Sequence, residues 1–333
     1  VRIHTSQVSA GTEMNGVRRR RQAQSAAAQT PLPEAGLGYT AIGEIEQVGD
    51  AVSGWAVGER VLCSGNHGSH WVVTPGDAND PASVPQQYML QRVPAALDDI
   101  QACFGVLGDI ALHGIRRGQI QLGEAAAVHG LGVIGNLTVQ MARRSGAYPV
   151  IGVDLDPARL ALAEQAGATH VVHVGEQEPV AAIREITYSD WRFRGALPGL
   201  EPDGGADVQF HCTSVIANYP VLLKAAADRG RIVLIGATGG QVAIETNELF
   251  RRELKVMGSY ETGIADPHPY WPWSRARNRQ VIWDMIARGD LDVAPLVTHV
   301  VPGDDAPELY DMMDASTAGW MSVFFTWDAE SSG

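Results

Sequence analysis

One glycine-rich turn limits the folds open to this chain more than any other segment. The run Gly130-Leu131-Gly132-Val133-Ile134-Gly135 follows an apolar stretch, Ala125–Val128, and precedes a helical pattern that starts near Ile134. In a G-x-G-x-x-G turn the first glycine permits a tight turn and the second lets a pyrophosphate approach the backbone. The third lets helix and strand pack closely. Because the helix N-terminus also offers free N–H groups and a positive dipole end, the run predicts a dinucleotide-binding βαβ unit.

Strand and helix patterns alternate around this turn, which predicts a doubly wound parallel sheet. The predicted strands are 125–129, 149–153, 171–174, 206–210, 231–235 and 254–258, and the predicted helices are 134–145, 157–166, 180–185 and 219–227.

The flanking regions have a different character. Residues 1–110 are rich in Gly, Pro and Val and show short strands such as Ala41–Val48 and Arg60–Cys63, so we expect an all-β region. Residues 259–333 combine helices near 279–288 and 306–313 with strands at 297–300 and 322–327, and we expect this tail to fold back onto the first domain. The segments Asp77–Gln87 and Tyr188–Gly205 are interpreted as loop insertions.

The second strand of the βαβ unit ends at Asp154, 19 residues after Gly135. A carboxylate there can accept hydrogen bonds from both adenosine ribose hydroxyls and would repel a 2′-phosphate. The position favours NAD over NADP, although Asp154 could also cap the next helix.

Composition excludes several classes of protein. The net charge of −13 disfavours nucleic acid and anionic membranes as partners. No apolar run reaches the length of a bilayer span, so no membrane partner is expected. The three cysteines are far apart and form no CxxC pair, which indicates a reducing, cytoplasmic location.

Several ordered blocks make the chain resemble the medium-chain dehydrogenase/reductase superfamily, the zinc-type alcohol dehydrogenase-like proteins. Besides the glycine-rich turn they are Ser9–Glu13, Gly38–Thr40 with Gly43, Val48-Gly49, Gly58–Val61, Ala111–Gly114, Asp207–Thr213, Ile235-Gly236, Arg252–Leu254, Leu296–His299 and Asp305–Glu308.

The resemblance implies an α/β protein with a GroES-like β domain, a Rossmann doubly wound parallel sheet and a cleft between them. Its domains would be a GroES-like catalytic domain at 1–108, a Rossmann NAD-binding domain at 109–260 and a return to the catalytic domain at 261–333. It also implies a homodimer joined through the Rossmann domains. Beyond the glycine-rich turn and Asp154, it extends the predicted NAD site to Leu155, Arg159, Cys212, Thr213, Gly236, Ala237, Ser259 and Tyr260.

The chain departs from the zinc-dependent members at each catalytic ligand. Ala10 stands where they carry the first cysteine, Tyr39 replaces the histidine and Leu107 stands near the third position. Alanine, tyrosine and leucine cannot form the thiolate, imidazole or carboxylate cage that zinc requires. We therefore predict a zinc-free branch that resembles bacteriochlorophyllide hydroxyethyl dehydrogenase-like proteins.

The predicted catalytic residues are Tyr39, Thr12 and Asp109. Tyr39 would polarise the substrate oxygen, or would only fill the vacated metal cavity. The resemblance places Thr12 at the hydroxyl relay, and Glu13 would fix that loop. Asp109 lies in an apolar stretch, where it could accept a proton or be a helix-end charge. His113 is interpreted as a packing residue.

Three further clusters have alternative interpretations. Cys63, His67 and His70 could bind a metal, but a turn into a strand at Trp71–Thr74 is favoured. The basic run Arg18–Arg21 is interpreted as a solvated helix face, although it could meet an anionic substrate group. Aromatic residues could form either a lid or a packing loop: Tyr260, Tyr270, Trp271 and Trp273.

The resulting prediction is an NAD-dependent, zinc-independent dehydrogenase that interconverts a secondary alcohol and a ketone on a small molecule, such as a secondary metabolite, sugar or cyclitol. Two alternatives stay open: an NAD(P)H-dependent double-bond reductase and a non-catalytic NAD-binding sensor.

Overall fold

A computed structural model describes residues 1–25, 36–73, 90–189, 204–236, 239–260 and 272–327. The chain divides into two compact units, one formed by Val1–Asp109 with Thr262–Gly333 and the other by Ile110–Glu261. No helix in these described ranges is long and apolar enough to cross a membrane.

The second unit is built on a parallel six-stranded sheet. Its strands are β5 (Ala126–His129), β6 (Val150–Asp154), β7 (His170–His173), β8 (Ala206–His211), β9 (Ala226–Leu234) and β10 (Lys255–Gly258). They lie in the order β10-β9-β8-β5-β6-β7. The strands after β5 are therefore added on one side of it up to β7 and on its other side from β8 onward. Ligands of open α/β sheets bind outside the carboxyl ends of the strands at such a switch point.

Helices connect these strands: α3 (Val133–Arg144), α4 (Pro157–Gln165), α5 (Pro179–Ile186), α6 (Tyr219–Ala225) and α7 (Thr246–Arg251). Proline opens both α4 and α5, where its missing N–H costs no helical hydrogen bond. One face of the sheet buries Ala127, Ile151 and Val153 with Ile183 of α5, which are all at most 3% exposed. Their continuous apolar character is typical of strands covered on both faces.

The first unit contains a second six-stranded sheet, in the order β11-β12-β1-β2-β3-β4. Its strands are β1 (Arg2–Gln7), β2 (Ala41–Glu44), β3 (Arg60–Cys63), β4 (Gln91–Arg92), β11 (Val297–Pro302) and β12 (Ser322–Thr326). Neighbouring strands are antiparallel except β11 and β12, which run parallel. Because β12 pairs with β1, the C-terminal tail completes the sheet that the N-terminus begins. The predicted α/β class, with a Rossmann-like parallel sheet and a second β domain, is confirmed.

The all-β prediction for residues 1–110 is wrong because two helices lie there, α1 (Ala10–Ser25) and α2 (Asp99–Gly118). Two more, α8 (Arg275–Ala287) and α9 (Ala306–Ala315), follow in the C-terminal part. α2 buries an apolar face that includes Phe104 and Leu107. Its glycines masked this pattern, yet Gly105 is needed there, since a Cβ would lie 2.6 Å from the Trp283 side chain of α8.

Smaller differences concern strand ends. No strand occupies Trp71–Val73; only His70 forms an isolated bridge, with Arg2. β9 starts at Ala226, where a helix was predicted to continue to Ala227. The predicted Asp77–Gln87 insertion and most of the Tyr188–Gly205 insertion lie outside the described residues, as do Tyr270 and Trp271 of the aromatic loop.

Candidate active site

The glycine-rich turn joins β5 to α3 with the geometry that a dinucleotide requires. Gly130 has φ +87°, a conformation that glycine adopts without strain. A Cβ on Gly135 would lie 1.8 Å from the carbonyl oxygen of Gly130, so the third glycine is fixed by helix–strand packing. A Cβ on Gly132 would meet nothing within 4 Å. Gly132 caps α3 without a side-chain hydrogen bond, so open space and free amide groups coincide at this helix N-terminus.

Asp154 ends β6 and ties the glycine-rich turn to the next connection. Its Oδ2 accepts from the Leu131 amide at 2.6 Å, and its Oδ1 accepts from the amides of Leu155 at 2.7 Å and Asp156 at 2.9 Å. The alternative interpretation of Asp154 as the helix cap is wrong, because Asp156 caps α4. A carboxylate has about four acceptor positions, so Asp154 can still accept from one ribose hydroxyl.

Among the other predicted cofactor residues, three are exposed or paired within the protein and one is buried with a hydroxyl open to a ligand. Leu155 and Tyr260 are exposed, and Arg159 is paired with Asp156, its Nε 3.7 Å from Oδ2. Ser259 is 6% exposed, and its Oγ has no hydrogen-bond partner among the described residues, so it is available to a ligand.

Cys212, Thr213 and Gly236 lie at the ends of β8 and β9. Burial raises the pKa of the Cys212 thiol to about 12, so it stays neutral. The Thr213 Oγ1 accepts from the Val215 amide at 3.3 Å, and a Cβ on Gly236 would lie 2.2 Å from the Thr213 carbonyl oxygen. Ala237 lies outside the described residues.

A buried polar group that the sequence analysis did not single out lies beside this turn. His129 at the end of β5 is the register partner of His211 at the end of β8, and its Nε2 lies 2.6 Å from the Gln209 Oε1. Burial lowers the pKa of His129 to about 4 and also lowers the pKa of His211. Both imidazoles are therefore neutral at pH 7.

In the first unit, the hydroxyl of Tyr39 hydrogen-bonds to the Ser9 Oγ. Tyr39 is half-buried just before β2, and Ser9 lies just before α1. Thr12 is exposed on the first turn of α1 and donates its amide to the Ser9 carbonyl at 3.0 Å. The structure thus brings a phenol and a serine hydroxyl into contact, with a second hydroxyl one helical turn along.

Glu13, one turn into α1, is hydrogen-bonded to groups from three separate segments of the chain. Glu13 is 3% exposed; its Oε1 accepts from the Ser9 amide at 2.6 Å and its Oε2 lies 3.0 Å from the His67 Nε2. The Tyr310 hydroxyl of α9 donates to the same Oε2 at 2.5 Å. Burial, followed by the Glu13 charge, raises the pKa of Tyr310 well above its usual value, so this donor keeps its proton.

Asp109 and His113 both lie buried in α2. The Asp109 Oδ1 accepts from the Asn278 Nδ2 at 2.7 Å, and its Oδ2 lies 3.9 Å from the Arg279 Nε. Asp109 lies in the middle of α2, so its interpretation as a helix-end charge is wrong. Its contacts favour a role in joining α2 to α8 over that of a proton acceptor. Burial lowers the pKa of His113 to about 4, with smaller contributions from Arg117 and Arg116, as expected for a packing residue.

Comparison with known proteins gives relatives over nearly the whole chain. A family model described as zinc-binding dehydrogenase matches residues 133–275. An L-threonine 3-dehydrogenase from Rhizobium rhizogenes is 26% identical over 311 residues, which cover 87% of this chain and 81% of the relative. These matches support the medium-chain dehydrogenase/reductase superfamily for this chain. The chain is therefore an oxidoreductase of the medium-chain type.

Solved structures agree with this fold. A zinc-binding dehydrogenase from Sinorhizobium meliloti 1021, bound to NADP, superposes with a TM-score of 0.71 at 23% identity, covering 98% of this chain and 91% of that one. An alcohol dehydrogenase from Escherichia coli CFT073, complexed with NADH, gives a TM-score of 0.70 at 18% identity, with 98% and 90% covered.

The residues that this member of the superfamily presents do not fit a catalytic zinc ion. Ala10 has no ligand atom, and the Tyr39 hydroxyl is hydrogen-bonded to Ser9. Asp109 is held by Asn278 and Arg279. Within the described part of the chain, no group of three His, Cys, Asp or Glu side chains could hold a metal ion.

The run Cys63, His67 and His70 does not converge on a common point. Burial raises the pKa of the Cys63 thiol to about 12, His67 contacts Glu13, and His70 is exposed with its Nε2 3.5 Å from Glu46. In the basic run, Arg18 and Arg21 form ion pairs with Asp314 of α9. These contacts favour the interpretation of the run as a helix face over contact with an anionic substrate group.

Tyr310, His129 and His211 are polar residues that the sequence analysis missed as parts of a site, and His67 was considered only as a metal ligand. His129 carried one signal, because a histidine ended an otherwise apolar strand directly before Gly130. The contacts of His67 and Tyr310 with Glu13 carried no sequence signal, since these residues lie 54 and 297 positions from Glu13.

Proposed function

We propose that the protein is an NAD-dependent dehydrogenase that interconverts a secondary alcohol and a ketone on a small molecule without a catalytic metal. The observation that carries this proposal is the Tyr39–Ser9 hydroxyl pair, at the positions where zinc-dependent members of the superfamily place or flank a metal ligand. The L-threonine 3-dehydrogenases among the relatives support a secondary alcohol as the substrate class.

The chain's residues suit each part of this role. A bound nicotinamide would supply hydride-transfer chemistry at the carbon that is alcohol in one substrate and ketone in the other. Gly132 and the α3 N-terminus would hold the pyrophosphate, Asp154 the ribose, and the buried Ser259 hydroxyl offers a further polar contact.

Proton transfer is assigned to the first unit. Tyr39 would donate a hydrogen bond to the substrate oxygen, which gains negative charge as the ketone is reduced. Thr12, exposed on the first turn of α1, is the proposed hydroxyl that passes the proton on.

The direct test is turnover. Purified protein is assayed by absorbance at the nicotinamide band with L-threonine, polyols, amino sugars and hydroxy-polyketides. Reduction of NAD by at least one secondary alcohol is expected. A double-bond reductase would turn over only activated alkenes, and a sensor would bind NAD without turnover of any substrate.

The preference for NAD depends on the charge of Asp154. We expect Asp154→Ala and Asp154→Asn to lower the ratio of kcat/KM for NAD to that for NADP by about tenfold or more, which corresponds to about 1.4 kcal/mol of lost discrimination. Thermal unfolding checks that the glycine-rich turn survives the loss of the Leu131 amide contact. A wild-type enzyme that prefers NADP would show that the ribose assignment is wrong.

Metal independence is tested on active protein. We expect elemental analysis to find substoichiometric zinc, and prolonged treatment with a chelator to leave kcat unchanged, since the Tyr39–Ser9 pair stands in place of metal ligands. Stoichiometric zinc that is removed together with the activity would contradict this.

We also propose a homodimer joined through the parallel sheets. β10 lies at the sheet edge, pairs with β9 on one side, and leaves Val256 44% exposed. An unpaired apolar edge needs a cover. Light scattering should give twice the chain mass, and Val256→Lys should shift it to the monomer, whereas Leu122→Lys at another exposed position should not. A monomeric wild type at micromolar concentration would refute the dimer.

A further inference from the structure

His67 lies at the centre of a buried hydrogen-bond network whose parts come from separate segments. Its Nδ1 lies 2.8 Å from the Ser6 Oγ, and its Nε2 lies 3.0 Å from the Glu13 Oε2. The Trp327 Nε1 donates to the same Ser6 Oγ at 2.9 Å. The His67 side chain is 8% exposed and packs edge-on against Phe325, with ring centroids 4.9 Å apart. The His67 side chain is therefore buried and hydrogen-bonded on both ring nitrogens, in a segment that the sequence analysis interpreted as a turn.

The hydrogen bonds of the network indicate which ring nitrogen of His67 carries a proton. An indole N–H can only donate, so Ser6 accepts from Trp327 and can direct its own proton at the His67 Nδ1. With the Ser6 hydroxyl directed at Nδ1, the His67 Nε2 carries a proton and donates it to Glu13. With the Tyr310 hydroxyl and the Ser9 amide, three donors reach the Glu13 carboxylate. A buried carboxylate held in this way has little freedom to move.

The same carboxylate fixes Ser9. The Glu13 Oε1 takes the Ser9 amide at 2.6 Å, and the Glu13 amide donates back to the Ser9 carbonyl at 2.9 Å. These contacts fix the Ser9 backbone just before α1, and the Ser9 hydroxyl contacts the Tyr39 phenol from there. The Ser9 hydroxyl can donate to the phenol oxygen, and this contact then sets the direction of the phenol O–H.

We propose that His67 is a positioning residue that sets the orientation of Tyr39: His67 holds Glu13, Glu13 holds Ser9, and Ser9 orients the phenol. The role of this orientation in turnover rests on the proposed function, in which Tyr39 polarises the substrate oxygen. The effect of His67 on Tyr39 passes through these three contacts.

Two substitutions at His67 separate its hydrogen bond from its bulk. His67→Phe keeps a ring against Phe325 but removes the donor to Glu13, and we expect kcat to fall about ten- to hundredfold with KM little changed. His67→Gln retains an N–H donor and should recover part of the loss. His70→Phe, three positions away on an exposed side chain, is the matched control and should leave kcat unchanged. In a Tyr39→Phe background the effect of His67→Phe should disappear, because the two residues act through one path.

A spectroscopic readout keeps this proposal separate from the activity. With fluorotyrosine incorporated at the eight tyrosines, the Tyr39 resonance is the one missing from Tyr39→Phe. His67→Phe should shift or broaden that resonance, and His70→Phe should not. A shifted resonance without turnover of any alcohol would support the positioning role and refute the proposed function.

The opposite result is equally clear. Unchanged kcat together with an unmoved Tyr39 resonance in folded His67→Phe would overturn the proposal while leaving the dehydrogenase assignment intact. If His67→Phe does not fold, Ser6→Ala provides the second variant, since it removes the hydroxyl that sets the His67 proton. A Tyr39 resonance that is unmoved in folded Ser6→Ala would overturn the proposal equally, and a shift in Ser6→Ala would support it.

Discussion

Tyr39→Phe is expected to lower kcat by about a hundredfold or more while the protein stays folded. The substitution keeps the ring and removes only the hydroxyl that contacts Ser9. If the phenol stabilises the negative charge that develops on the substrate oxygen, the loss falls on the transition state. KM should then change much less than kcat, as measured by steady-state kinetics with an alcohol that the wild type oxidises.

The control is Tyr148→Phe, which removes a phenol from an exposed ring packed under Arg143. It should keep wild-type kinetics. A near-wild-type rate for Tyr39→Phe would instead show that Tyr39 only fills the space of the missing metal. Asp109 would then be the next candidate, and Asp109→Asn would test it against its contact with Asn278.

Gly132→Ala and Gly135→Ala should fail in different ways, although both change the same turn. At Gly135 the added Cβ would lie 1.8 Å from a backbone oxygen, so we expect the free energy of unfolding to fall by roughly 1–3 kcal/mol or more, with loss of NADH binding. At Gly132, where φ is −63° and nothing lies within 4 Å, an alanine fits the protein itself. Gly132→Ala should keep the wild-type melting temperature and weaken NADH binding about tenfold or more, because its methyl group occupies the space assigned to the pyrophosphate.

Thermal unfolding and NADH fluorescence titration measure the two effects separately. Gly132→Ala discriminates between the two effects, because its methyl group can lower NADH affinity but should not lower the stability of the protein without ligand. Unchanged NADH affinity in Gly132→Ala would place the pyrophosphate elsewhere and remove the basis for the cofactor site.

The predictions from sequence were accurate where short-range spacing decides the structure. The strand, turn and helix around Gly130 are marked in the sequence by a short apolar run and by glycine spacing, and the structure places them within one residue of the predicted bounds. The all-β prediction for residues 1–110 did not include α1 and α2, although Arg18–Arg21 was interpreted as a helix face, because glycines and mixed polarity hide the helical period in the sequence. Their buried faces become apparent only with their partners, as between Gly105 and Trp283.

The sequence by itself determined the superfamily, the parallel sheet and the turn that suits a dinucleotide, because glycine spacing and alternating apolar runs act over short distances along the chain. The tertiary structure decided how Tyr39 is held. It placed Ser9 against the phenol and brought His67 and Tyr310 to Glu13 from 54 and 297 positions away. The reason is physical: a buried carboxylate needs hydrogen-bond donors, and folding can supply them from any segment that reaches it.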